Sequence, residues 1–464
     1  MAVAPPAEGG GLVAECCPAG DESLVDGGSQ AHRGRLDDNG SAAHGSCPAG
    51  DDHLADRNDS ANRNNLADRD DLAGGDNPAN FRALADDDNA ASFRALAGGD
   101  SPADARNVPD GDNPGAAAFF RDAMAAFATA WHRQAAGQLW LRIARRTVLL
   151  CFAGARTAEA IAPAFGHLES APQQTADLTI LLWDTASTGV DPPAIPWRPE
   201  ALDRIGKVQG GCDARFTTVH EPDTGQLWMF DRQSATAVVW MNDVDAVPLW
   251  DRIHPFRRLL HEWARGFGAD LVHAGAVGID GVGVLVVGPG GTGKSTTVLA
   301  AMQVGLLSAG DDYVLVDTGS SPGSPPAAHA LYGAMRLHQT HLERFPALMA
   351  RHDHVFQEPW SGRAKITSYM SRHRPDRLTA ELRLVAIVIP QVVADAREAA
   401  RETSARALLA LAPSSMLQVD PTDGAMFPRL TRLCRALPCW RLPLGPDLTQ
   451  VGVMLRRLLR SYAP

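Results

Sequence analysis

Lysine is almost missing from this chain. Only Lys207, Lys294 and Lys365 occur among 464 residues, against forty arginines. No Asn-Lys-x-Asp element can be assembled from three lysines, which excludes the usual guanine-reading loop. No run of eighteen apolar residues occurs, so the sequence offers no membrane-spanning helix. No basic stretch followed by an apolar one opens the chain, and the expectation is a cytoplasmic protein without a membrane partner. Seven cysteines show no paired metal-ligand spacing. Cys434-x4-Cys439 lacks a second pair, so reduced, structural thiols are expected rather than zinc.

Residues 1–115 lack almost everything a core requires. Their only aromatics are Phe81 and Phe93, and they carry 22 acidic residues against 8 arginines and no lysine. The chain's net charge of −11 therefore resides there, leaving residues 116–464 near +3. Short repeats recur within this segment: "LADRN" at 54 and "LADRD" at 66, "FRALA" at 81 and 93, "CPAGD" at 17 and 47. A segment that cannot bury apolar surface cannot offset its ordering entropy, so a disordered acidic tail is expected. Charge gives no reason to expect a nucleic-acid partner.

From residue 116 onward the pattern is that of a folded protein. Residues 117–135 have helical composition. Residues 138–154 alternate at a period of two around Arg145-Arg146, as a hairpin does. Residues 177–185 read as a buried strand, and 214–243 as three strands joined at Pro222-Asp223 and Gln233-Ser234. Residues 116–250 are thus expected to form a small strand-rich α+β unit, with Trp183, Trp228 and Trp240 in its core. An amphipathic helix over 254–268, stopped by Gly268, leads into a second domain, 251–464. There, strands 271–279 and 282–288 flank Asp280-Gly281, a tight-hairpin signal that pairs them antiparallel. Strands at 313–317, 382–390 (closed by Pro390) and 439–445, a loop over 321–330, and helices over 402–413 and 448–462 complete the expectation.

The chemistry concentrates in "GPGGTGKST". Gly288, Pro289, Gly290, Gly291, Thr292, Gly293, Lys294, Ser295 and Thr296 match the Gly-x4-Gly-Lys-Ser pattern, between a strand and a helix. Glycines let successive N–H groups close around phosphate oxygens, and the following helix presents its positive end. Lys294 would reach the terminal phosphates and Ser295 would ligate Mg²⁺; the loop reads phosphates rather than the base, and ATP is the nucleotide of the leading expectation. Metal-assisted phosphoryl transfer also needs carboxylates, which Asp311, Asp312 and Asp317 could supply.

The stretch from Leu271 to Asp317 resembles the core of the HPr kinase/phosphorylase family, whose nucleotide fold is like that of phosphoenolpyruvate carboxykinase. The family places a histidine before the hairpin and an aspartate pair after the helix. His273, fifteen residues before Gly288, and Asp311-Asp312 match them. The resemblance implies a mixed α/β fold with a partly antiparallel sheet, and a kinase acting on a serine hydroxyl of a protein or peptide. Asp311 would then bind Mg²⁺ and Asp312 act as base, with His273 assisting and Arg336 and Lys365 facing phosphates. It also implies that the chain can associate with itself. Pro289 and Thr296 stand where true HPr kinases carry an aspartate and a glutamate, so the likeness is to the shorter kinase-like members and HPr is a doubtful acceptor. The alternatives on the residues alone are a nucleotide-binding regulator without phosphotransfer and a small-molecule kinase or ATPase using Asp317.

Overall fold

The computed structural model describes residues 114–319, 324–358, 362–394 and 398–462. The acidic repeats lie outside them. All the described residues belong to one unit, Asp76–Pro464. Its fold is mixed α/β, with three sheets.

Helix α1 (Pro114–Gln134) opens the described chain. Phe120, Phe127 and Trp131 are buried on it against Trp183, Phe216 and Trp240. Six strands follow: β1 (Ala135–Ile143), β2 (Arg146–Ala153), β3 (Leu178–Asp184), β4 (Phe216–Glu221), β5 (Gln226–Asp231) and β6 (Thr236–Met241). They form one sheet in the order β1-β2-β3-β6-β5-β4. The β1–β2 hairpin turns through Ala144 and Arg145, both at positive φ. The pairs β2–β3 and β3–β6 are parallel, and each of these three strands is buried along nearly its whole length. That is the continuous apolar pattern expected where both faces of a sheet are covered.

Helix α2 (Arg257–Arg265) joins this sheet to the next. Leu259, Leu260, Trp263 and Ala264 bury into a cluster that also holds Leu150, Leu182 and Val239 of the first sheet and Leu271, Leu285 and Val314 of the second. The second sheet contains β7 (Ala269–Val272), β8 (Ala274–Ile279), β9 (Val282–Val287), β10 (Leu307–Gly310), β11 (Val314–Asp317), β12 (Ala327–His329), β16 (Glu381–Val392), β17 (Ala400–Glu402) and β18 (Cys439–Leu444). β8 and β9 pair antiparallel around Asp280 and Gly281, both at positive φ, the turn that suits a right-twisted hairpin. β9, β16 and β18 run parallel, so their carboxyl ends emerge together. A third, three-stranded sheet has the order β13 (Ala334–His338), β15 (Ala364–Tyr369), β14 (His354–Gln357). Helices α3 (Lys294–Gln303), α4 (Ser404–Gln418), α5 (Met426–Ala436) and α6 (Leu448–Arg460) complete the unit.

Several expectations need correction. The strand read over 271–279 breaks at His273, whose N–H donates to Ser415 Oγ at 3.0 Å instead of to a neighbouring strand. β7 therefore pairs with β11, while β8 pairs with β9 and β10. The loop expected over 321–330 contains β12, held between β11 and β16. Pro390 does not close its strand. The last paired residue of β9, Val286, stands opposite Val388 and short of Pro390, so only β18 pairs there and no ladder needs the missing N–H. Pro413 likewise does not end its helix. It forfeits only the bond to the Leu409 carbonyl, on the exposed side. The sheet formed by β13, β14 and β15, strand β10 and helix α5 were not anticipated.

Replacing Gly281 by alanine puts a side chain at φ 75 with nothing within 4 Å of it, so the cost is backbone strain alone. A loss of about 1 kcal/mol is expected, read as a lowered urea midpoint with an unchanged m-value.

Candidate functional site

A cleft of about 1440 Å³ opens at the carboxyl ends of β9, β16 and β18. Ligands of open α/β sheets bind in such a place. Gly290, Gly291, Gly293, Lys294, Ser295 and Thr296 line it, together with His273, Asp312, Arg336 and Lys365. Gly288, Pro289 and Thr292 shape the turn behind. Thr292 Oγ1 donates to the Pro289 carbonyl at 2.8 Å, and a Cβ on Gly288 would stand 2.4 Å from that hydroxyl oxygen. Around Gly290 and Gly291 a Cβ would meet nothing within 4 Å, so the segment's outer rim is open space.

Lys294 is buried at the start of α3. Its ammonium donates to the Gly288 and Pro289 carbonyls at 2.7 and 3.3 Å, within its own turn. Burial lowers its pKa, and the Asp312 and Asp311 carboxylates oppose that shift. A cation folded back on uncharged carbonyls keeps most of its field for an anion entering the cleft.

The aspartate pair sits between β10 and β11, and its two members differ sharply. Burial, reinforced by the Asp312 charge, pushes the Asp311 carboxyl up to about 6. Both of its oxygens are buried without a hydrogen-bond partner, although Ser295 lies near enough to favour its ionised form. An orphaned carboxylate beside a hydroxyl is a donor set suited to a hard divalent cation. Asp311 and Ser295 are thus the residues that could hold one.

Asp312 is also buried, which pushes its pKa up, but the Arg336 guanidinium and His273 outweigh burial and hold the carboxyl well below its usual range. Arg336 donates to Oδ2, His273 Nε2 lies 2.9 Å from Oδ1, and His254 Nδ1 is 3.8 Å from Oδ2. Its backbone stands at φ 74, in the left-handed region.

The polarity of this network can be followed. Gln418, at the end of α4, accepts from the Tyr313 hydroxyl through Oε1. Its amide nitrogen lies 3.0 Å from His273 Nδ1. An amide nitrogen only donates, so Nδ1 accepts and the ring proton resides on Nε2, facing the Asp312 carboxylate. Gln418 and Tyr313 were not singled out from the sequence. Gln418 lies 145 residues from His273, and no local motif connects them.

Asp317 is not in the cleft. It ends β11 and accepts the Gly319 N–H at 2.9 Å, whereas Asp312 precedes that strand. Among the described residues, one further group has its ligand atoms close enough for a metal: His261, Asp270 and Asp423. Arg429 already fills it, donating to Asp270 at 2.7 and 2.6 Å and to Asp423 at 2.9 Å. Among the described residues, no helix is long and apolar enough to cross a membrane.

Two outcomes follow from this geometry. An unfolded aspartate ionises near 3.8 and Asp311 near 6, so the native state keeps its proton longer and loses stability as pH rises between those values. Asp311→Asn should therefore stabilise the metal-free protein at pH 7.5 by up to about 3 kcal/mol and leave it nearly unchanged at pH 3.5. Urea unfolding at the two pH values measures this. Gln418→Leu removes the donor to Nδ1, and the His273 resonances in nitrogen-15 spectra should change from one tautomer to a mixture.

No family model and no curated protein matches this chain. Among solved structures, it is similar to that of the Hpr(Ser) kinase/phosphatase from Coxiella burnetii, at 13% identity and a TM-score of 0.23, over 42% of this chain and 99% of the other.

Proposed function

We propose that this protein is an ATP- and Mg²⁺-dependent kinase that phosphorylates a serine hydroxyl of a protein or peptide. The observation that carries the reading is the meeting, in one cleft, of the glycine-rich turn with Lys294, Ser295 and the ionised Asp312 bonded to His273, with the orphaned Asp311 buried beside it. Residues 288–296 would hold the nucleotide phosphates, and Asp311 with Ser295 the metal, whose charge would offset that of the phosphates. The serine oxygen forms a bond to the terminal phosphorus as the bond to the bridging oxygen breaks, giving phosphoserine and ADP. The serine proton passes to Asp312, whose position His273 fixes, and then to solvent.

One observation favours a second reading, a nucleotide-responsive regulator without transfer. Arg336 keeps Asp312 a poor proton acceptor while the two are paired. A small-molecule kinase using Asp317 lacks support, since that residue stands outside the cleft.

Incubation with labelled ATP and Mg²⁺ distinguishes the readings. The kinase should label a serine-bearing protein or peptide, and Asp312→Asn should lower the rate by about 10²–10⁴ while nucleotide still binds. Lys294→Ala should weaken nucleotide binding itself. If Asp312→Asn matches wild type in every assay but Lys294→Ala abolishes the response, the regulator reading replaces the kinase.

A further inference from the structure

Part of the cleft is built by the start of α2 and by β13 rather than by the glycine-rich segment, and its lining is rich in donors. Arg257 and Arg258 are the first two residues of α2, and both line the cleft. Phe256, at φ 59, turns the chain sharply before them. Arg336 reaches the same cleft from β13.

Each of these arginines has a carboxylate partner that uses only part of its donor set. Arg257 donates through Nη1 to Asp251, Arg258 through Nη1 to Glu221, and Arg336 through Nη2 to Asp312. Asp251 and Glu221 do not line the cleft, although both line a smaller neighbouring pocket with the same two arginines. A guanidinium has five N–H donors in a planar fork. In all three arginines Nε is buried without a partner. His254, only 2% exposed, also lines the cleft and leaves Nε2 buried without one. Four such atoms on residues that line one cleft leave this part of it rich in donors and short of acceptors. The arginines have only donors to offer, and a planar fork fits a carboxylate.

We infer that Arg257, Arg258 and Arg336 form an acceptor subsite that reads a carboxylate adjoining the hydroxyl to be phosphorylated. This rests on the kinase reading and adds to it the class of acceptor. The carboxylate can come from an acidic side chain flanking serine in a peptide or from a free hydroxy-amino acid. The two sources present the same group to the same arginines. Asp312 lies within the same set of residues, so a hydroxyl carried beside that carboxylate is brought to the proposed base.

The test uses the full chain with ATP and Mg²⁺ and three acceptors: a terminally blocked peptide with aspartate on both sides of one serine, the same peptide with asparagine in those places, and free L-serine. The aspartate peptide should exceed the asparagine peptide in kcat/KM by at least about tenfold. Comparable labelling of L-serine would identify the small carboxylate as the source, and its absence the peptide. Arg258→Glu should bring the two peptides level, and Arg258→Lys should keep part of the preference. Arg258→Gln is the control, should the reversal of charge beside Glu221 prevent folding. Equal labelling of the aspartate and asparagine peptides by the wild-type protein, with no labelling of L-serine, overturns the inference. If ATP binds but nothing is labelled, the kinase reading fails, and calorimetric binding of the two peptides then decides the subsite alone. Tenfold tighter binding of the aspartate peptide, lost in Arg258→Glu, supports it; equal affinities overturn it.

Discussion

The buried carboxylate of Asp312 is the charge around which the cleft is arranged. An ionised carboxylate in a protein interior costs several kcal/mol unless it is paired and hydrogen-bonded. Here separate stretches of chain meet the need: His273 between two strands, and Arg336 from the third sheet. Neither of them is a sequence neighbour of Asp312. The ion pair and hydrogen bond that stabilise the charge therefore also fix how the third sheet stands over the carboxyl ends of β9, β16 and β18. Removing Arg336 would leave a buried charge that burial alone drives toward protonation.

The break at His273 belongs to the same arrangement. A continuous strand there would commit the His273 N–H to a ladder and send its side chain along the sheet's alternation. The Ser415 hydroxyl takes that N–H instead, and Gln418, three residues further along α4, takes the ring. One helix thus holds both the backbone and the imidazole of a residue whose other ring nitrogen addresses Asp312. Pro413 sits within that helix, two residues before Ser415, without ending it.

Local periodicity carried much of the fold. The hairpin at Asp280-Gly281, the strands over 178–184 and 216–241, and helices α1, α3 and α6 were legible because each is specified within its own dozen residues. Two of the elements missed were of another kind. β10 and β12 have four and three residues, too short for an alternating pattern to register. Pro390 read as a terminator because a sequence does not reveal which N–H groups lack an acceptor. For the site, the spacing of Gly288, Lys294, Ser295, His273 and Asp311-Asp312 sufficed to nominate residues that meet in or beside one cleft. Gln418, His254 and the paired Arg257-Arg258 were illegible, since their part depends on contacts across tens to hundreds of residues.

The opposite pKa shifts of adjacent aspartates follow from one cause. Burial presses both upward, and two carboxylates side by side cannot both ionise cheaply. Arg336 and His273 are spent on Asp312, which takes the charge, while Asp311 with no hydrogen-bond partner keeps its proton up to about pH 6. A divalent cation near Asp311 would invert that balance by supplying the missing countercharge. An anion drawing Arg336 into the cleft would release Asp312 from the partner that most depresses it, and its affinity for a proton would rise. Metal and anion would thus act in opposite senses on neighbouring residues, making Asp311 a better ligand and Asp312 a better base. On the kinase reading, a filled cleft, more than an empty one, would suit proton abstraction.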